Sequence, residues 1–199
     1  MIRPGKLRLL LFLSLLVLAA CGKSEFPAPT HAIDVGWQHP QADFHLLDAS
    51  GKPKNLADYR GKVVVLFFGY THCPEVCPTT LADLAHVMRL LGADAKKVQV
   101  LFVTLDPERD TAELLSKFVP SFDPSFIGLR GDAQATAQAA KSFGVNYQKQ
   151  FDKRGGYTLD HSDGTYLIGP DGEPLWLSRY GEQAELLAQD IKLLLATAR

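Results

Sequence analysis

The stretch that decides the fold runs from residue 67 to residue 78 and reads Phe67-Phe-Gly-Tyr-Thr-His-Cys-Pro-Glu-Val-Cys-Pro78. It begins inside an apolar run at residues 63–68, which predicts a buried strand. After Pro78, apolar side chains recur at three- and four-residue spacing, which predicts a helix to about residue 91. Cys73 and Cys77 therefore lie where a strand passes into the start of a helix. The positive potential of a helix N-terminus favours thiolates, so both cysteines are predicted to be reactive or metal-binding.

The composition limits the classes of function. The chain has 199 residues, of which 46% are hydrophobic and 22% charged, and its formal net charge is −1. Residues 1–20 contain three basic residues and no acids, so 18 basic and 22 acidic residues remain beyond them. That balance gives no basic surface for nucleic acid, and we expect no nucleic-acid partner. The length suits one domain with a tail.

The N-terminus has the pattern of an export signal. Residues 1–20 join a basic start to an apolar run that is shorter than the roughly 20 residues needed to span a bilayer. Leu18-Ala-Ala-Cys21 resembles a bacterial lipobox, which predicts cleavage before Cys21 and acylation of its sulfur. Residues 21–39 are predicted to be a flexible tether and residues 40–199 the folded domain. We therefore expect a lipid anchor in a bacterial cell membrane, with the domain facing the periplasm.

Strands and helices alternate along the rest of the chain. We predict an N-terminal hairpin at residues 44–59, strands at 98–105 and 126–129, and helices at 111–119 and 132–143. A second hairpin at residues 165–178 and a helix at 182–198 follow. This order predicts an α/β fold in which helices flank a central mixed sheet. Paired cysteines after the first buried strand make it thioredoxin-like.

The spacing of Cys73 and Cys77 is compatible with a structural disulfide, a redox pair or a metal site. A disulfide that closes so short a loop constrains the unfolded chain little, although disulfides persist in exported proteins. A metal site needs a further ligand, and Met88 is the only methionine after residue 1, so that ligand must be a histidine. His161 precedes the predicted strand at 165–168, which would carry it alongside the cysteine loop. Two thiolates and an imidazole suit Cu(I), or Cu(II) with a weak extra ligand, whereas structural zinc usually takes four protein ligands.

The other histidines are weaker candidates. His72 adjoins Cys73, and neighbouring side chains rarely converge on one ion. The remaining four are expected to be surface residues: His31, His39, His45 and His86. The aromatic residues Phe67, Phe68 and Tyr70 are more typical of a core.

A charged segment, Asp106-Pro-Glu-Arg-Asp110, follows the predicted strand at 98–105. Functional residues often lie at this end of an open sheet. Ion pairing that holds the loop and a role in docking are equally compatible with these residue types.

Five ordered motifs together resemble the SCO/SenC family, and the likeness runs from about residue 35 to residue 195. The motifs are Gly69-Tyr-Thr-His-Cys-Pro-Glu-Val-Cys-Pro78, Thr104-Leu-Asp-Pro-Glu-Arg-Asp-Thr111, Phe126-Ile-Gly-Leu-Arg-Gly131, Asp160-His161 and Tyr166-Leu-Ile-Gly-Pro-Asp-Gly172. That family comprises thioredoxin-like copper-binding proteins of cytochrome c oxidase assembly. The resemblance implies copper ligands at Cys73, Cys77 and His161, with Asp106 as a secondary site. The chain differs from many members at its N-terminus, where a lipid anchor replaces a membrane helix.

The resemblance implies a copper chaperone for the binuclear copper site of the oxidase. Its partners would be the subunit that carries that site, a periplasmic thiol reductant and another copper donor. A Cys73–Cys77 disulfide, formed on oxidation, would release the metal.

The alternative is a thiol–disulfide oxidoreductase, an enzyme that needs Cys73 and Cys77 as its redox pair but not His161. A peroxidase is less compatible, because peroxiredoxins have a threonine three residues before the reactive cysteine and this chain has Tyr70. Whether the protein is an enzyme therefore stays open at this point.

Overall fold

The computed structural model describes residues 27–39, 41–173 and 175–197. The predicted signal peptide, Cys21 and the first residues of the predicted tether lie outside these ranges. Within them, no helix combines the length and the apolar character that crossing a membrane requires.

The predicted strand after residue 62 is the centre of the sheet. This strand, β4, spans Val63–Gly69 and is buried along its whole length. It pairs in parallel with β5, Val98–Thr104, and antiparallel with β9, Thr165–Ile168. A strand with neighbours on both edges and both faces covered is expected to be continuously apolar, as this one is.

In the part of the chain that the structure describes, eight strands form the main sheet, in the order β1-β10-β9-β4-β5-β6-β2-β3. Only the β4–β5 and β5–β6 pairs are parallel, so the sheet is mixed, as predicted. The other strands are β1 Ile33–Asp34, β2 Leu46–Asp48, β3 Pro53–Lys54, β6 Ile127–Arg130 and β10 Leu175–Ser178.

Within the described ranges, four α-helices flank the sheet, and their bounds are α1 Val76–Leu91, α2 Ala112–Phe118, α3 Ala133–Ser142 and α4 Ala184–Thr197. Helices α1 and α4 pack against each other, and α2 packs on β6. Helix α1 begins two residues before Pro78, so Cys77 already lies in its first turn. Thr111 and Asp132 cap α2 and α3, because each side chain accepts from a backbone N–H of the first turn.

The N-terminal hairpin is shorter than predicted. Strands β2 and β3 form it, but Leu56–Tyr59 is a 3-10 helix rather than a strand. The Asn55 side chain accepts from the Asp58 N–H, and the Asp58 side chain accepts from the Asn55 N–H. These two hydrogen bonds satisfy backbone donors that a strand would have paired with a neighbour.

The folded domain starts before residue 40, so the predicted tether is partly wrong. Strand β1 pairs antiparallel with β10 and extends the sheet. Just before it, the backbone N–H groups of Thr30, His31 and Ala32 all donate to the carboxylate of Asp190, at 2.7, 3.0 and 2.7 Å. Asp190 lies on α4 and is only 1% exposed. Three hydrogen bonds to one buried carboxylate attach this segment to the domain.

A second, two-stranded sheet is present that the sequence patterns did not predict. Strand β7, Tyr147–Phe151, pairs antiparallel with β8, Tyr157–His161. His161 is the last residue of β8 and pairs with Tyr147. We call residues 147–161 the β7–β8 hairpin. It carries the predicted histidine on a strand of its own, just before β9.

Candidate metal site

The two cysteines lie on the loop and first helical turn that follow β4. The Cys73 N–H donates to the Tyr70 carbonyl at 3.3 Å, and the Cys77 N–H points at the Cys73 sulfur at 3.4 Å. Both cysteines are free thiols. Cys73 is half-buried, whereas the side chain of Cys77 is fully buried.

Burial changes the expected acidity of Cys77. Loss of solvent raises the pKa of this thiol well above its ordinary value, and the hydrogen bond and charge of Cys73 act in the same direction. At Cys77, burial therefore outweighs the stabilisation of the thiolate that the helix N-terminus was predicted to give. A helix end contributes at most about 2 kcal/mol, and the desolvation of a buried thiolate exceeds that.

The absence of a side chain at Gly69, the last residue of β4, makes room for the Cys77 sulfur. A Cβ atom at this position would lie 2.8 Å from the Cys77 Sγ and 3.0 Å from Cε2 of Phe102. Both neighbours are buried and packed, so neither can move away without disturbing the core. Gly69 thus sets how closely the first turn of α1 approaches the sheet.

The side chain of His161 approaches the cysteines from the end of strand β8. Its Nδ1 lies 2.7 Å from the Ser162 carbonyl oxygen, which can only accept, so Nδ1 carries the proton. The lone pair is then on Nε2, which lies 3.7 Å from the Cys77 Sγ. The Phe67 and Tyr70 rings pack against the imidazole in T-shaped arrangements, with centroids 6.4 and 5.9 Å away. A backbone carbonyl on one nitrogen that orients the other is the usual environment of a metal-binding histidine.

The side-chain ligand atoms of Cys73, Cys77 and His161 all lie within 4.8 Å of one another. Among the described residues, this is the one group of three or more such side chains close enough to hold an ion. Two sulfurs and one imidazole nitrogen form a soft donor set, which suits Cu(I). The cluster borders an open cavity of about 490 Å³ that Pro74, Glu75 and Asp163 also line. A metal could therefore enter and leave from one side, past the half-buried Cys73.

The structure brings no other histidine into this group. The Nδ1 of His72 lies 3.0 Å from the Thr71 hydroxyl and 3.6 Å from Asp110. The predicted core role of the three aromatic residues is confirmed, because Phe67, Phe68 and Tyr70 are at most 2% exposed.

Asp110 ties the cysteine loop to the end of β5. Its carboxylate, which is fully buried, accepts from the N–H and the hydroxyl of Thr71 at 3.0 and 2.5 Å. It also accepts from the Thr104 hydroxyl at 2.5 Å. A buried carboxylate with three donors is strongly held, so the start of the cysteine loop has one position.

Asp106 ties the β7–β8 hairpin to the same segment. Its carboxylate accepts from the Tyr157 hydroxyl at 2.8 Å and from the Arg109 Nε at 2.5 Å. Arg109 also donates to the Tyr157 carbonyl at 2.9 Å and lies over the Tyr157 ring, 3.6 Å from its centroid. Asp106 is thus occupied by protein contacts and is not one of the three side chains that converge. The residue types of this charged segment were compatible with ion pairing that holds the loop and with docking. Its contacts match the first of these roles.

Tyr157 is the site residue that sequence reasoning missed. A signal for it exists, because residues alternate in a strand and Tyr157, Leu159 and His161 share a face of β8. Reading that signal required recognising β8, which is short and carries polar residues at Thr158 and Asp160.

Comparison with known proteins identifies relatives along most of the chain. A family model described as SCO1/SenC matches residues 36–196. Human mitochondrial protein SCO2 homolog is 40% identical over 164 residues, which are 80% of this chain and 61% of that protein. The chain therefore spans less than two thirds of the length of this relative.

Two solved structures share the fold. The structure of Bradyrhizobium japonicum ScoI with copper bound is 40% identical, with a TM-score of 0.70, over 75% of this chain and 96% of that one. The solution structure of apo Sco1 from Thermus thermophilus is 36% identical, with a TM-score of 0.71, over 88% and 99%. The predicted thioredoxin-like fold is confirmed.

Proposed function

The chain belongs to the SCO1/SenC family, and from this premise we propose that it is a copper chaperone for assembly of cytochrome c oxidase. The observation that carries the proposal is the convergence of the Cys73, Cys77 and His161 ligand atoms within 4.8 Å. A relative at 40% identity has been solved with copper bound. The copper is cargo, and the expected acceptor is the oxidase subunit that carries the binuclear copper site.

The two cysteines have different roles in this proposal. Cys77 is buried and provides the inner ligand, while the half-buried Cys73 borders the open cavity and is the ligand that an acceptor reaches first. Each thiol loses its proton when it binds the ion, so binding releases protons. A Cys73–Cys77 disulfide would remove both thiolates and release the copper, and a periplasmic thiol reductant would restore the pair. Another copper donor would then reload it.

The position of His161 favours the chaperone over the oxidoreductase. A thiol–disulfide exchange enzyme needs the two sulfurs alone, whereas here an imidazole with its lone pair oriented by Ser162 completes a three-atom group. No comparable observation supports the hypothesis of a thiol–disulfide oxidoreductase.

The test is copper bound per molecule, with the thiols reduced and then oxidised, in the wild type and in His161→Ala. We expect about one Cu(I) in the reduced protein and none after oxidation. His161→Ala should weaken binding by about 10–100-fold, while His45→Ala, an exposed histidine outside the group, should change nothing. Equal copper affinity in His161→Ala and the wild type would refute the ligand assignment.

The proposal includes membrane attachment through Cys21. Leu18-Ala-Ala-Cys21 supports an acylated cysteine that holds the domain at the periplasmic face of a bacterial membrane. The tether is then short, because residues 30–32 are already hydrogen-bonded to Asp190. In cells grown with labelled palmitate, the wild type should carry the label in the membrane fraction. Cys21→Ser should carry none, and label in that variant would exclude this anchor.

A further inference from the structure

The turn that follows β1 carries an aromatic side chain that the fold does not use. Trp37 is 78% exposed, more than any other large apolar side chain in the described ranges. The turn itself is fixed, because the Gln38 N–H donates to the Val35 carbonyl at 3.0 Å and the Val35 N–H donates to the Leu175 carbonyl at 3.0 Å. An exposed aromatic side chain on a fixed turn loses little entropy when it binds.

The Trp37 ring stands among polar groups rather than in an apolar patch. It borders a cavity of about 270 Å³ that Asp34, His39 and Glu173 also line, and among the described residues neither acid forms a salt bridge. One aromatic side chain buries about 150–250 Å², whereas a specific protein interface buries about 800 Å² on each partner. This surface is therefore too small to hold a second copy of the chain. A tryptophan with polar neighbours is typical of the headgroup level of a bilayer.

The chain before β1 is too short to hold the domain away from a membrane to which Cys21 is anchored. The Thr30 N–H donates to the Asp190 carboxylate at 2.7 Å, and eight residues separate Thr30 from Cys21. At about 3.5 Å per residue, those nine steps span at most about 32 Å. A compact domain of this size is about 40 Å across, so its surface stays within reach of the bilayer. Trp37 follows Thr30 by only seven residues, beyond the edge strand of the sheet.

The turn lies at the opposite end of the sheet from the cysteine loop. It meets β10 at Leu175, which pairs with Ile168, and Ile168 pairs with Val64 near the start of β4. The cysteine loop follows Gly69, five residues further along β4, which is about 17 Å at about 3.3 Å per residue. A bilayer in contact with Trp37 therefore leaves the candidate metal site facing away from the lipid.

We propose that Trp37 docks the domain on the bilayer, with its ring at the headgroup level, and so turns the metal site toward the periplasm. This inference rests on the proposed attachment through Cys21 and adds which face of the domain meets the lipid. The short tether makes the contact intramolecular, so one ring suffices even though it would bind weakly by itself. Because Asp34 and Glu173 flank the ring, the contact requires no anionic lipid and is not weakened by salt.

The experiment uses the full chain, purified from the membrane fraction and reconstituted into phosphatidylcholine vesicles. Tryptophan emission is measured with two quenchers, phosphatidylcholine brominated close to the headgroup and acrylamide in the water. The chain has two tryptophans and Trp176 is fully buried, so both quenchers report on Trp37. Trp37→Phe measures the emission of Trp176 alone.

The matched control moves the reporter to the other end of the domain. Phe151 is 74% exposed and pairs with Tyr157, whose hydroxyl donates to Asp106 just beyond the end of β5. The double variant Trp37→Phe/Phe151→Trp therefore has an equally exposed tryptophan near the metal-site end of the sheet. A phenylalanine at position 37 keeps an apolar ring at the turn, so the domain keeps its orientation.

We expect brominated lipid to lower the Trp37 emission by about twofold and to leave the control unchanged. Acrylamide should quench Trp37 about threefold less than the control tryptophan, because lipid headgroups cover the first ring. Both results should be the same with phosphatidylglycerol added and at about 20 and about 500 mM salt. Copper content should be equal in all variants, because neither position belongs to the three-residue group.

Three results would overturn the membrane contact. In the first, acrylamide reaches Trp37 and brominated lipid does not. In the second, the ring is protected from both quenchers, which would mean that protein covers it, either a second copy or the wall of the neighbouring cavity. In the third, brominated lipid quenches Trp37 and the control tryptophan equally, which would mean that the domain has no preferred face.

The same preparation separates this contact from the proposals on which it rests. Protein that is in the membrane fraction without a palmitate label would count against the Cys21 anchor, while Trp37 quenching would still decide the contact. A full chain that is absent from the membrane fraction would overturn both the anchor and the contact. Protein that binds no copper but shows lipid-quenched Trp37 would count against the chaperone function alone.

Discussion

At the scale of single residues, the geometry of the candidate metal site depends on positions that supply none of the three proposed ligands. Gly69 leaves the space that the Cys77 sulfur fills, and the Ser162 carbonyl sets which nitrogen of His161 carries the proton. The Asp110 carboxylate accepts a hydrogen bond from the N–H of Thr71, which lies two residues before Cys73. Three residues are the proposed ligands, but the geometry of their side chains is set by buried neighbours that cannot move independently.

Gly69→Ala should displace the Cys77 sulfur. Its new methyl group would lie 2.8 Å from that sulfur, inside the core. We expect the free energy of unfolding of the metal-free protein to fall by about 1–3 kcal/mol and Cu(I) affinity to fall by at least about tenfold. Urea unfolding and competition with a Cu(I) chelator measure the two effects.

Gly36→Ala is the control for this change. A Cβ atom there would meet no atom closer than 3.4 Å, and its backbone needs no left-handed conformation. Equal copper affinity in Gly69→Ala and Gly36→Ala would contradict the role given to Gly69.

At the scale of elements, the 106–110 segment joins the two halves of the site. Asp110 holds the cysteine loop, while Asp106 and Arg109 hold Tyr157 on the strand that ends at His161. The segment follows β5, next to β4, so it lies between the loop and the hairpin. One short segment therefore sets the distance between the thiols and the imidazole.

Tyr157→Phe removes the hydroxyl that donates to Asp106 and keeps the ring under Arg109. Because one acceptor atom of a buried carboxylate loses its donor, we expect a loss of about 1–2 kcal/mol in the free energy of unfolding. The hairpin should loosen, so amide exchange in β8 should accelerate and Cu(I) affinity should fall severalfold.

Tyr147→Phe is the matched control, since Tyr147 lies on the same hairpin, and the described side-chain donors to the Asp106 carboxylate are Arg109 and Tyr157. Unchanged exchange in β8 of Tyr157→Phe would show that the hydroxyl does not anchor the hairpin.

Asp190 makes the segment before β1 part of the domain. Its carboxylate accepts three backbone N–H groups from residues 30–32. Asp190→Ala leaves those donors without partners and should lower the free energy of unfolding by about 2–4 kcal/mol. Amide exchange at residues 30–32 should approach the rate of a free chain.

Gln189→Ala is a neighbouring control, because Gln189 is exposed and its side chain hydrogen-bonds the His31 ring rather than the backbone of residues 30–32. Continued protection of residues 30–32 in Asp190→Ala would mean that β1 pairing alone holds the segment.

At the scale of the whole molecule, the core determines how stability depends on pH at the alkaline end. Burial raises the pKa of Tyr59 and of Tyr166 to about 12, above the ordinary value of about 10. A raised folded-state pKa means that the folded state keeps the proton longer than the unfolded state. The stabilisation is complete below pH 10 and is lost as the pH rises from about 10 to about 12.

Between these values, each of the two tyrosines should lower the free energy of unfolding by about 1.4 kcal/mol per pH unit. Tyr166→Phe and Tyr59→Phe should each flatten this slope in chemical unfolding. At pH 7 their effects should differ, because the Tyr166 hydroxyl donates to the Phe143 carbonyl at 2.6 Å. The Tyr59 hydroxyl is buried and has no hydrogen-bond partner among the residues that the structure describes. An unchanged alkaline slope in both variants would contradict this account.

The sequence by itself determined the central strand, the position of the cysteines and the helices. Strand β4 is continuously apolar over seven residues, and the helices repeat with a period that needs no partner to be recognised. The motifs were sufficient to indicate Cys73, Cys77 and His161, because the family pattern names those positions. Local patterns of this kind can be recognised in the sequence without knowing which residues lie across the sheet.

The tertiary structure alone decided the β7–β8 hairpin, the attachment of residues 30–32 and the burial of Cys77. Strand β8 alternates polar and apolar residues over only five positions, too short a window to stand out. Asp190 accepts from backbone N–H groups that are 158–160 residues away in the chain. No local sequence pattern predicts a contact between such distant residues. The acidity of Cys77 depends on how much water the folded core excludes. Burial destabilises its thiolate by more than the helix N-terminus stabilises it.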